Sequence, residues 1–163
     1  MRTHIRIASV AIAIIAANAA QAASPQVEKN ISMGLAQEIV AGVIEECAKN
    51  SYKVSVVVVD KAGQVAASLR GDGTSPATME FARMKAYTAR VRSQTSLEFM
   101  NLTASGDAQA LRQIPGVAAI GGGVPIKSGA ETIGGVGVSG APGGEKDEAC
   151  AKAALARISA SLN

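Results

Sequence analysis

The sequence predicts an α+β domain in which helices cover a five-stranded antiparallel sheet. Three observations carry that expectation. Apolar residues recur at helical spacing over 27–50, 76–95 and 144–162. Five short runs between them read as strands. The connections between neighbouring strands are too short for a parallel crossover.

Taken in order, the chain opens with Arg2, His4 and Arg6, an apolar run from Ile7 to Ala17, and then Ala20, Gln21 and Ala22. A basic head, an apolar stretch too brief to span a bilayer and small residues at a cleavage point describe a secretory signal peptide over 1–22. A single domain over 23–163 is expected to follow, periplasmic or secreted, with no membrane insertion after cleavage. Residues 27–50 repeat Ile31, Leu35, Ile39, Val43 and Cys47 on one face. The stretch 52–60, with four consecutive valines, reads as a central strand, apolar on both faces. Lys61, Ala62 and Gly63 turn it back into a second strand, which makes a hairpin. Pro76 opens the second helix. Ala82, Ala86 and Ala89 form a small-residue face that lets this helix sit close to a sheet, and Lys85 falls about 60° from the middle of that face at 100° per residue, at its edge. Three strands are expected over 116–120, 124–128 and 131–140. Glu145, Asp147 and Glu148 then open the last helix, where their charge suits the helix dipole. Its buried stripe is Ala151, Leu155, Ile158 and Leu162.

Composition narrows the function. The full chain carries 16 Lys and Arg against 13 Asp and Glu. Loss of Arg2 and Arg6 with the leader lowers the net charge from +3 to +1. No basic cluster remains to track nucleic-acid phosphates, and aromatic residues for base stacking are scarce. The one histidine, His4, leaves with the leader, which excludes imidazole chemistry from the mature domain. Cys47 and Cys150 are the two cysteines. An exported protein suits a disulfide between them. Two buried free thiols fit their helical settings as well.

Gly135 to Gly140 reads G-V-G-V-S-G and so matches the G-x-G-x-x-G dinucleotide fingerprint. That fingerprint needs a helix opening inside the loop and an acid about twenty residues on. Here the glycines alternate within a strand pattern, the helix begins only after Gly143, and Leu155 stands where the acid should be. The glycines instead mark a strand bend or the close approach of a neighbouring element or ligand.

Four blocks, VSVVVVDKAGQVAASLRGDG, FARMKAYTA, IPGVAAIGGGVPI and IGGVGVSGAPGGEKDEACAKAAL, together resemble the GlcG/HbpS-like haem-binding proteins, relatives of the PduO C-terminal domain. The resemblance covers about residues 27–162. It implies a profilin-like fold with helices on both faces of five antiparallel strands, a homo-oligomer such as an octamer, and haem as a small-molecule ligand. Exported relatives commonly carry histidine after the proline that follows the second strand, whereas this chain reads Ser75, Pro76, Ala77. Axial ligation must then come from elsewhere. Tyr87, in the K-A-Y-T-A block, is the first candidate metal ligand, with Tyr52, Met33, Met79, Met84 and Thr88 as others. Late in the chain Ala154 replaces the glycine usual in the family, which suggests slightly altered helix packing.

Three functions compete. A haem or tetrapyrrole carrier would hold its ligand between the second helix and the strand bearing Gly135 and Gly137, with Lys85 and Arg70 or Arg83 pairing the propionates. In the alternative for these charges, Lys85 and Asp72 form a structural ion pair at a subunit contact. An enzyme on a small organic acid or tetrapyrrole would draw on Asp60, Asp72 or Asp147. Asp60, however, suits the hairpin turn and Asp147 the helix terminus. A scaffold or partner-binding oligomer needs no ligand at all.

Overall fold

The computed structural model describes residues 24–162, so the leader expected over 1–22 lies outside the described residues. Ser32 caps helix α1 (Met33–Ala48) by accepting the Leu35 N–H. Strand β1 (Ser55–Val59) is buried throughout. Asp60 closes the tight turn behind it, its Oδ1 accepting the Gln64 N–H at 2.9 Å. Strand β2 (Val65–Arg70) returns beside it. Helix α2 (Thr78–Arg92) follows, then helix α3 (Ser96–Leu102), which Thr95 and Glu98 open as a capping box. After a 3-10 turn over Asp107–Gln113 come strands β3 (Gly123–Ser128) and β4 (Glu131–Ser139), then helix α4 (Gly144–Arg157).

The sheet runs β2-β1-β4-β3, every pair antiparallel. Val56, Val58, Val136, Val138 and Ile126 point from one face into a core with α1 and α4. Val57 and Val59 point from the other face toward Ala82 and Ala86 of α2. Period-2 alternation thus sends a run of four valines into two cores at once. The sulfurs of Cys47 and Cys150 are bonded, with the two Cα atoms 5.3 Å apart, so α1 and α4 are joined covalently on their shared face.

Four strands form among the described residues, against the five expected. Residues 116–120 run instead as irregular chain over α2. Helix side chains take the backbone groups that a strand would have taken. The Ala118 N–H donates to Thr88 Oγ1 at 2.8 Å, and Ser96 Oγ donates to the Ile120 carbonyl at 2.6 Å. Only at Gly122 does the segment meet the sheet, its carbonyl accepting the Val138 N–H at 2.9 Å.

Candidate functional site

Helix α2 carries Lys85, Tyr87 and Thr88 of the residues singled out above, and it lies directly on β4. The three alanines of its small-residue face are fully buried. A methyl group added at Gly137 would overlap the Ala82 carbonyl and stand 2.5 Å from the Ala86 nitrogen. One added at Gly135 would overlap the Ala86 carbonyl. The glycines therefore admit a helix, and the space in which a ligand was expected beside Gly135 and Gly137 is filled by α2 itself.

Lys85 is also displaced from its expected role. It is buried, 3% exposed, where helical geometry had set it at the edge of the packed surface. Its Nζ donates to the Val138 carbonyl and to Asp147 Oδ2, both at 2.8 Å. The other oxygen of Asp147 accepts the Ala141 N–H at 2.9 Å. Glycine-to-alanine contact has brought α2 so close to the sheet that Lys85 passes beside Gly122 and reaches the first turn of α4. Burial raises the Asp147 carboxyl above its ordinary range, while the Lys85 ammonium and the Ala141 N–H draw it back. A lysine with these two partners is a cross-tie between helices and has no free charge for a propionate.

The remaining candidates disperse. Asp72 is exposed in the loop after β2, so the ion pair foreseen for Lys85 forms with Asp147 instead. The guanidinium of Arg70 donates to Thr74, at 2.9 Å to its carbonyl. The Thr88 hydroxyl is consumed, donating to the Met84 carbonyl and accepting from Ala118. Tyr87 is half-buried, its ring held between Gly63 and Gly116. Both glycines have positive φ, 82° and 83°, and a side chain at Gly63 would come within 2.8 Å of the ring.

A different cleft combines apolar walls with a guanidinium. A groove of about 280 Å³ runs between α2 and β2, lined by Val57, Val65, Ser68, Pro76, Met79 and Arg83, with Glu80 at its rim. Arg83 binds Glu80 through two hydrogen bonds of 2.9 and 2.7 Å. That pairing holds the guanidinium above its ordinary range and the carboxylate below its own. Tyr87 stands one turn further along α2, near enough to act on the Arg83 charge. Pro76 in the groove wall directly precedes Ala77, the position where the family resemblance leads one to expect histidine. That adjacency was the available signal for the groove. No group of three or more His, Cys, Asp or Glu arranged to hold a bare metal ion occurs among the described residues.

A family model described as "Haem degrading protein HbpS-like" matches residues 31–156. Protein GlcG of Escherichia coli K12 is 33% identical over 109 residues, covering 67% of this chain and 81% of its own. The structure is similar to that of a double variant of HbpS from Streptomyces reticuli, with 32% identity and a TM-score of 0.79, covering 91% of this chain and 98% of that one. It is also similar to the haem complex of PduOC, with 25% identity and a TM-score of 0.69, covering 75% and 90%.

Proposed function

Because the chain belongs to the HbpS-like family, we propose that it binds haem or a related tetrapyrrole as an exported homo-oligomer. We locate the macrocycle in the groove between α2 and β2. The observation that carries this reading is the lining of that groove. Val57, Val65 and Pro76 give it apolar walls, Met79 supplies a thioether and Arg83 a guanidinium. This donor set fits a flat apolar ring with acidic edges. Arg83 would hold a propionate, exchanging part of its bond with Glu80 for it. Tyr87, one turn beyond Arg83 on the same helix, would hold the iron through its phenolic oxygen. A bound haem would supply the redox and ligand-binding chemistry of its iron. The residues of the groove would bind it and set its orientation. Export is supported by the leader-like composition of residues 1–22 and by the bond between Cys47 and Cys150, a pairing typical of oxidising compartments.

One observation favours the scaffold reading instead: residues 24–162 contain no histidine. Titration of the protein with haemin separates the two. The haem reading expects a saturable, shifted Soret band at near-unit stoichiometry, altered in position by Tyr87→Phe and weakened by Arg83→Gln. A spectrum matching haemin mixed with an unrelated protein sinks the haem reading and leaves the scaffold.

A further inference from the structure

The two edges of the sheet are treated differently by the sequence. At the β3 edge Pro125 removes a backbone donor in mid-strand and Lys127 adds an exposed charge, two common protections against strand addition. The β2 edge has no proline and no charge before Arg70, and its Val65 and Leu69 are 51% and 46% exposed. The Gly71 N–H donates to the Val54 carbonyl at 3.0 Å. By the alternation of an antiparallel ladder, Leu69 and Ala67 also turn their backbone groups toward β1, whereas Ser68 and Arg70 turn theirs outward. Neither neighbouring helix covers the strand. Beyond the groove on the α2 face, a cleft of about 410 Å³ opens on the α1 face. Met33, Val40, Ala41, Ala67 and Leu69 line it, and no charged side chain does.

We infer that β2 pairs antiparallel with β2 of a second copy about a two-fold axis through Ser68, joining two sheets into one. The inference rests on the homo-oligomer part of the proposed function and names its contact. Two features select a second copy as the occupant. Pairing Ser68 with Ser68 satisfies the outward N–H and C=O of both residues. It also sets Leu69 of each copy opposite Ala67 of the other, on the face that carries the uncharged cleft, so a large side chain meets a small one twice.

A cysteine cross-link tests this. Directly opposed residues of a hydrogen-bonded antiparallel pair have Cα atoms about 5.5 Å apart, within disulfide reach. The native cysteines are already bonded to each other, so Ser68→Cys introduces the free thiol on its own. On mild oxidation Ser68→Cys should give a covalent species of twice the chain mass, and Lys127→Cys on the other edge should not. Ser68→Pro, which removes an outward donor without touching the ladder to β1, should halve the native particle mass in light scattering. Cross-linking of Ser68→Cys no faster than of Lys127→Cys, or an unchanged mass for Ser68→Pro, overturns the contact. A wild-type protein that is monomeric in solution overturns the oligomer as well. Haemin titration, read separately, bears on neither result.

Discussion

Lys85→Met tests whether the Lys85–Asp147 tie is structural. The substitution keeps the apolar stem and removes the charge, leaving Asp147, 3% exposed, with the Ala141 N–H and no cation. Stranding one member of a buried ion pair costs about 3–5 kcal/mol. At roughly 3–4 °C per kcal/mol for a domain of this size, Tm should fall by about 10–20 °C at neutral pH. The pH dependence has a defined sign. Burial already raises the Asp147 carboxyl above 3.8 in the folded protein, and Lys85 is the chief opposing influence. A carboxyl with a raised folded pKa takes up a proton on folding. Its contribution therefore favours the folded state below the unfolded value and is lost as pH climbs through the folded one. Without Lys85 the folded pKa rises further, and the loss shifts to higher pH. The penalty should be full at neutral pH and should shrink as the pH approaches the carboxylate range, about 4–5. Urea unfolding followed by circular dichroism at both pH values measures it. Lys85→Met/Asp147→Leu should recover most of the neutral-pH loss. A penalty under about 1 kcal/mol, or one identical at both pH values, would refute the reasoning.

Two further predictions concern packing and covalent structure. Gly137→Ala should destabilise by about 3 kcal/mol or more, since its methyl meets helix backbone that can move only if α2 lifts from the sheet. Gly34→Ala, in α1 with open space around it, should be neutral or stabilising by up to about 1 kcal/mol. Equal melting points for these two variants would contradict the packing account. For the Cys47–Cys150 bond, whose partners lie 103 residues apart, reduction should remove about 4–5 kcal/mol on the chain-entropy model. Alkylation of unfolded protein should add two groups only after reductant, and adducts without reductant would count against the bond.

Local pattern revealed the elements, whereas long-range contacts decided the site. The hairpin of β1 and β2, the alanine face of α2 and the start of α4 all follow from periodicity, turn chemistry and helix-terminal charge. Residues 116–120 have a strand-like composition. Their fate turned on Thr88 and Ser96, side chains brought to them by tertiary packing. Helical periodicity gives the angular position of Lys85 but not its surroundings. Nothing local to Lys85 indicates that glycines some fifty residues later let the helix sink until the ammonium meets Asp147. Asp147 was read as a helix-terminal charge, and it is also the partner of that lysine. The glycine motif had a packing cause, and a one-dimensional pattern cannot distinguish close approach by a helix from close approach by a phosphate.

Asp147 and Cys150 lie within one turn of α4, and each is fastened to a different layer. Asp147 reaches past the end of the sheet to α2, and Cys150 is bonded to α1 on the near side. Helix α4 is thus a common keystone for elements on opposite faces. Loosening it frees both layers together, so α1, α2 and α4 should open as one cooperative unit. Strand β2, at the edge of the sheet, lies outside both fastenings and can move while that unit remains closed.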